Sequence, residues 1–120
     1  MKTARAIFAA LCIFTVCVQA QAVELVMFER DGCIWCERWN REIGAAYANT
    51  PEGAAAPLRR VNIYSSRDAG LKLDLPVRFT PTFIVADQGR EIARITGYSG
   101  NATFWGLLGQ ALRRADDRTN

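Results

Sequence analysis

The chain has 120 residues, of which 15 are basic, 12 acidic and none histidine. That length bounds it to one small domain with a single modest core. A formal net charge of +3 does not point to a nucleic-acid partner, and no repeat, low-complexity tract or long charge block suggests a second unit.

Lys2 and Arg5 precede an uncharged apolar run from Ala6 to Val18, and Ala20-Gln21-Ala22 supplies the small-x-small pattern that signal peptidase accepts. Residues 1–22 are therefore expected to be a secretory signal, and residues 23–120 the mature domain. The run of 13 residues is shorter than the ~20 needed to span a hydrocarbon core. No stable membrane anchor is expected after cleavage, nor lipid attachment, because Phe14-Thr15-Val16 before Cys17 lacks the small residue of a lipoprotein signal. Cys12 and Cys17 would leave with the leader, as would Lys2 and Arg5, so 13 basic residues would face 12 acidic ones. Lys72 is then the only lysine, a compositional trait of a bacterial chain. Cys33 and Cys36 become the only thiols, in a compartment where disulfides form and persist.

The mature chain reads as alternating α and β. Leu25 to Phe28 is a short continuous apolar run, suited to a strand buried on both faces. Asp31-Gly32 breaks it. From Cys33 to about Ala48, the positions Cys36, Trp39, Ile43 and Tyr47 recur at helical spacing, with Glu37, Arg38, Arg41 and Glu42 toward water. Asn49 to Gly53 ends that helix and begins a loop. Leu58 to Ile63 is a second strand, and Ser66 to Leu73 carries a short helix. Thr82 to Ala86 and Glu91 to Ile95 are strands joined by Asp87-Gln88-Gly89-Arg90, a hairpin turn with glycine where a positive φ is wanted. Phe104, Leu107, Leu108, Ala111 and Leu112 form the stripe of an amphipathic closing helix, with Asn101 as its N-cap.

Two thiols three positions apart at a strand-to-helix junction suit reversible disulfide chemistry. A cysteine at a helix N-terminus is surrounded by unpaired backbone N–H groups and the positive end of the helix dipole, which favours its thiolate over the free value of ~8.5. Cys33 is thus the expected nucleophile. Cys36, one turn in and expected to be more buried, would resolve the mixed disulfide formed by Cys33. Three other uses of the pair are weighed against this. Zinc needs two further ligands, and the mature chain has neither another cysteine nor a histidine. A structural staple closing four residues constrains the unfolded chain very little. A Cu(I) chaperone holding the ion between two thiolates is the binding-protein alternative, disfavoured by the scarcity of methionine. No metal site and no cofactor are expected.

Over nearly all of residues 23–120 the sequence resembles the thioredoxin superfamily. Glu24-Leu25-Val26-Met27-Phe28 leads by a short link into Cys33-x-x-Cys36; Arg60-Val61-Asn62-Ile63 resembles the next strand. Val77-Arg78-Phe79-Thr80-Pro81-Thr82-Phe83 resembles the segment before the hairpin, where thioredoxins carry a cis-proline, and Gly97 matches a family glycine. The resemblance implies a minimal thioredoxin-like α/β fold, a four-stranded mixed sheet flanked by helices in the order βαβ(α)ββα, without the extra N-terminal strand and helix. It implies that Pro81 is cis and that Thr80 and Pro81 lie across from Cys33 to receive a peptide; Trp35, placed with Ile34 at the helix start, is expected to be an exposed contact for partner proteins and not to pack over the domain edge. It implies a periplasmic, monomeric thiol:disulfide oxidoreductase acting on protein disulfides and fed by a membrane thiol transporter. Short members of this kind resemble the thioredoxins that accompany bacterial sulfur oxidation or cytochrome c maturation. An oxidase or isomerase of the same fold is the neighbouring alternative.

The chain departs from the family pattern at informative places. Trp-Cys-Gly-Pro-Cys becomes Gly32-Cys33-Ile34-Trp35-Cys36, without the histidine of strongly oxidising members, which favours reduction. Met27 stands where thioredoxins bury an aspartate, leaving water, a neighbour such as Glu29, or the substrate itself as the proton acceptor for Cys36. Thr80 resembles the bacterial disulfide isomerases at that position. Trp39 and Trp105 are expected in the core, and Arg59-Arg60 at a solvated strand edge.

Overall fold

The computed structural model describes residues 23–120, so the expected leader lies outside the described residues. The elements in order are β1 (Val23–Glu29), α1 (Ile34–Trp39), a π-helical turn (Asn40–Gly44), α2 (Ala45–Tyr47), α3 (Pro51–Ala55), β2 (Leu58–Asn62), β3 (Thr82–Asp87), β4 (Arg90–Thr96) and α4 (Asn101–Thr119). One four-stranded mixed sheet has the order β2-β1-β3-β4. β1 is parallel to β2, with Glu29 opposite Asn62, and antiparallel to β3, with Phe28 opposite Thr82. The central strands are the continuous apolar runs, since a strand covered on both faces needs apolar side chains on both.

The two sheet faces carry separate clusters. Leu25 and Met27 of β1 join Phe83 and Val85 of β3, and on them pack Cys36, Trp39, Ile43 and Tyr47 with Phe104, Leu108 and Ala111 of α4. An aromatic knot sits at its centre: Trp39 lies 5.2 Å from Phe83 and 5.6 Å from Phe104, centroid to centroid. Trp105 is only partly buried; it stacks on Tyr47 at 6.0 Å with the rings 9° apart. Val26, Phe28, Ile84 and Ala86 form the other face, covered by Leu71 and Val77.

That cover is not helical, which corrects the expected helix at Ser66 to Leu73. Side chains there bond their own backbone: Ser66 Oγ accepts from Ala69 N at 2.9 Å and Asp68 Oδ1 from Gly70 N at 2.9 Å. Such local bonds compete with helical ones, and Ala69 and Gly70 turn through left-handed φ values of 55° and 72°. The segment becomes a strap. Lys72 N donates to Gly89 O and Glu91 N donates to Lys72 O, tying it to the β3–β4 hairpin.

Other boundaries shift for equally local reasons. The helix expected from Cys33 to Ala48 is interrupted by the π-helical turn, a common device near functional sites. The expected loop after it contains α3, capped by Thr50 Oγ1, which accepts from Gly53 N at 3.0 Å, with Pro51 at the first helical position. Gly100 caps α4, and Asn101 is its first helical residue instead of its N-cap. Leu107, placed on the apolar stripe, is 42% exposed; Ala115 continues the buried stripe instead. The hairpin turn has φ of 50° at Gln88 and 76° at Gly89, the paired left-handed residues of a tight hairpin.

Candidate active site

β1 ends at Glu29, and Gly32 turns the chain with a φ of 70° that side chains rarely tolerate. Cys33 then occupies the N-cap of α1 in an extended conformation, and its sulfur accepts a hydrogen bond from Cys36 N at 3.2 Å. Its carbonyl accepts from Glu37 N at 3.0 Å. Cys33 and Cys36 are joined as a disulfide with Cα atoms 5.2 Å apart. Cys36 is not the more buried of the two. Each is 3% exposed, because the bond draws both sulfurs to one place between the helix start and the sheet.

The dipeptide between them faces outward, Ile34 at 69% and Trp35 at 49% exposure. Behind Trp35 stands an ordered group of charges and rings. The Arg38 guanidinium lies 5.8 Å from the Trp35 centroid and 5.8 Å from that of Tyr98, within cation–π range. Arg38 Nε donates to Glu42 Oε1 at 3.0 Å, and the buried Tyr98 hydroxyl donates to Glu42 Oε2. The Tyr98 bond and then Arg38 hold the Glu42 carboxyl below its ordinary range. Burial, followed by the bond to Glu42, pushes the Tyr98 phenol up to about 12. The sequence marked Arg38 and Glu42 only as water-facing and passed over Tyr98, whose partner is distant along the chain.

Thr80 and Pro81 enter β3 through a cis peptide bond. Thr82, the next residue, is opposite Phe28, so this loop arrives at the sheet end where β1 hands over to the Cys33 turn. Pro81 is buried and Thr80 half-buried. Pro81 O accepts from Gly97 N at 2.7 Å. The loop is thereby fastened to the residue before Tyr98, and Tyr98 is fastened through Glu42 to the helical run that begins at the cysteines.

Beneath the disulfide, fully buried Met27 shares the cluster of Cys33 and Cys36. Arg60 Nη1 approaches its sulfur at 3.7 Å and donates to Glu29 Oε2 at 2.6 Å, while the guanidinium carbon lies 5.6 Å from the Trp39 ring. Arg59 on the other face makes two hydrogen bonds to Glu24, at 2.9 and 2.8 Å. The two arginines do lie on edge strand β2, but each is engaged by a carboxylate of β1 and is not simply solvated. Among the described residues, no group of three or more His, Cys, Asp or Glu is placed to hold a metal ion.

A protein-family model described as a thioredoxin-like domain matches residues 16–112. The chain belongs to the thioredoxin-like domain family. Among solved structures, the reduced form of the periplasmic thioredoxin SoxS from Paracoccus pantotrophus is 41% identical, with a TM-score of 0.74 over 78% of this chain and 98% of that one. A thioredoxin of Malassezia sympodialis, at 19% identity and a TM-score of 0.56 over 77% of this chain and 79% of that one, shares the fold. Among curated proteins none matches. A C-x-x-C disulfide at a helix N-terminus on this thioredoxin-like fold is apparatus for thiol exchange, and this family member is a thiol:disulfide oxidoreductase.

Proposed function

We infer that this thioredoxin-like protein is an exported, periplasmic reductase of protein disulfides, with Cys33 as nucleophile and Cys36 as resolving thiol. The observation that carries the assignment of roles is the hydrogen bond from Cys36 N to Cys33 Sγ at the start of α1. A donor already aimed at that sulfur stabilises negative charge on it when the disulfide is reduced. The relation to a periplasmic thioredoxin and the signal-like pattern of residues 1–22 support export.

In the reduced protein the Cys33 thiolate attacks one sulfur of a client disulfide. A Cys33–client bond forms, the client S–S bond breaks, and the departing client sulfur leaves as a thiolate that takes up a proton. Cys36 loses its proton and attacks Cys33 Sγ; the Cys33–Cys36 bond forms and the second client sulfur leaves as a thiolate. Two electrons pass from the protein to the client, and the one proton that Cys36 loses balances the one that the first client thiolate takes up. The disulfide seen here is the product of that cycle. Trp35, Thr80 and Pro81 would receive the client chain, and a membrane thiol transporter would return the electrons to a monomeric acceptor.

Insulin reduction with a dithiol donor tests the activity, and the reduction potential of the Cys33/Cys36 pair tests its direction. Turnover should vanish in Cys33→Ser. A potential near about −120 mV, that of a strong oxidant, would overturn the reductase assignment.

A further inference from the structure

Beside the cis peptide a cleft of about 230 Å³ is lined by Arg30, Ile63, Tyr64, Arg78, Phe79 and Thr80. Arg30 follows β1 and Ile63 follows β2, one position beyond the Glu29 and Asn62 pair, so the cleft caps the sheet end that carries the Cys33 turn. Thr80 belongs both to its wall and to the loop assigned above to the client chain.

The lining combines aromatic rings with cationic side chains. Tyr64 is 82% and Phe79 66% exposed, two aromatic rings that the core does not use. Arg38, Arg59, Arg60 and Arg94 each pair with a glutamate. Arg30 and Arg78, like Arg41, Arg67, Arg90, Arg113, Arg114 and Arg118, make no ion pair among the described residues, but these two share one cleft; the Arg30 side chain donates only to the backbone carbonyl of Asp31, at 3.3 Å. No acidic side chain lines the cleft, and the adjacent Asp31 carboxylate offsets only part of the positive charge. Two guanidinium groups and two aromatic rings in one lining suit a carboxylate flanked by apolar surface, and arginine and tyrosine are among the residues on which protein interfaces concentrate their binding energy.

Size selects the kind of ligand. Small-molecule sites occupy ~300–1,000 Å³, so this cleft holds a side chain of a bound polypeptide in preference to a whole metabolite. An anionic lipid surface is the other source of negative charge, but lipid-reading segments use clusters of about 4–8 basic residues, and only two stand here, in a concavity.

We propose that this cleft is a client-docking subsite that favours disulfides lying beside an acidic residue. The proposal rests on the oxidoreductase reading and adds a substrate class to it. Arg30 and Arg78 supply the charge, Tyr64 and Phe79 the apolar walls, and Thr80 the connection to the reacting sulfurs.

Three disulfide-containing peptides, identical except for Glu, Gln or Lys at the positions flanking one cysteine, test this by their kcat/KM values at low and high salt. The full-length protein should reduce the Glu peptide about tenfold faster than the Lys peptide at low salt, with Gln between, and the ratio should shrink at high salt. In the Arg30→Gln/Arg78→Gln double variant the Glu-to-Lys ratio should fall to near one. Phe79→Ala should raise KM for the Glu peptide while lowering kcat by less. No preference in the unaltered protein, or a preference that survives in the double variant, overturns the subsite. So does arginine-dependent sedimentation with phosphatidylserine vesicles in the absence of peptide selectivity. A small uncharged disulfide separates the two readings: if the unaltered protein fails to reduce it, the oxidoreductase reading fails, whereas reduction without peptide selectivity removes the subsite alone.

Discussion

The Tyr98 hydroxyl donates to the Glu42 carboxylate across 56 positions of sequence. One end of that bond belongs to the helical run that starts at Cys33, and the other to the loop that holds Pro81 O through Gly97 N. The two halves of the candidate site are thus joined by this side-chain bond, and by Arg38 over the Tyr98 ring, in addition to the sheet. Tyr98→Phe keeps the ring that packs against Phe104 and removes only the hydroxyl. Its melting temperature should drop on the order of 5 °C, and KM for a protein disulfide should rise. Unchanged melting together with unchanged KM would show that the bond positions nothing.

The same pair sets a pH dependence. The Glu42 carboxyl is held below its usual 4.5 in the folded state, so its contribution is present above the unfolded value and is lost as pH falls through the folded one. The Tyr98 phenol is raised from 10.0 to about 12. Its contribution is fully present below the unfolded value and is lost as pH rises through about 12. Urea midpoints measured against pH should therefore fall at both extremes. Glu42→Gln should flatten the acid limb, and Tyr98→Phe the alkaline one.

At the cysteines the expected asymmetry is chemical. After reduction, Cys33 should react with iodoacetamide at neutral pH well before Cys36, since only its sulfur accepts the backbone N–H at the helix start. Cys36→Ser should accumulate mixed disulfides with clients that Cys33→Ser does not form. Fragmentation by tandem mass spectrometry of the tryptic peptide Asp31–Arg38, which carries both cysteines, decides which thiol reacted. Preferential labelling of Cys36 would reverse the roles.

What could be read before folding was whatever is local or periodic. Leu25 to Phe28 announces a buried central strand by having no polar face, Thr82 to Ala86 announces itself as one strand of a hairpin, and the C-x-x-C pair sits where a strand gives way to a helical repeat. Thr50-Pro51 also carried a legible helix start, passed over because Asn49 and Gly53 suggested a loop. The strap was misread because Ser66 and Asp68 spend their hydrogen bonds on their own backbone. Pairs such as Tyr98 with Glu42, or Arg60 with Glu29, exist only once distant strands and helices are brought together. No window of sequence contains both partners.

Glu91 is a buried acid that no sequence pattern singled out. Its carboxylate accepts from Asp74 N at 2.8 Å and from Arg94 at 2.7 and 3.0 Å, and Arg94 reaches on to the carbonyls of Leu75 and Pro76. Together they pin the strap whose Leu71 and Val77 cover the second core face. With Glu91 and Arg94 side chains only 4% and 21% exposed, Glu91→Ala should cost about 2–3 kcal/mol in urea unfolding, since it strands Arg94 and the Asp74 amide. Limited proteolysis should then cut first between residues 65 and 79. Equal stability and an unchanged cleavage pattern would show that the strap is held by its apolar contacts alone.

Glu29 offers the last test, because fully buried Met27 brings no carboxylate beneath the disulfide. By strand alternation Glu29 lies on the same face of β1 as Met27, the face on which Cys36 packs. Arg60 occupies Oε2 at 2.6 Å and keeps the group oriented. Oε1 accepts no side-chain hydrogen bond among the described residues, which leaves it a lone pair for a proton. If Glu29 serves in that way, Glu29→Gln should slow the resolving step, measured by release of a pre-formed Cys33 mixed disulfide, on the order of tenfold at neutral pH. The first attack by Cys33 should change less, and the loss should shrink as rising pH ionises Cys36 without help. A resolving rate that matches the unaltered protein at every pH assigns the proton to water, with Glu29 left to anchor Arg60 against Trp39.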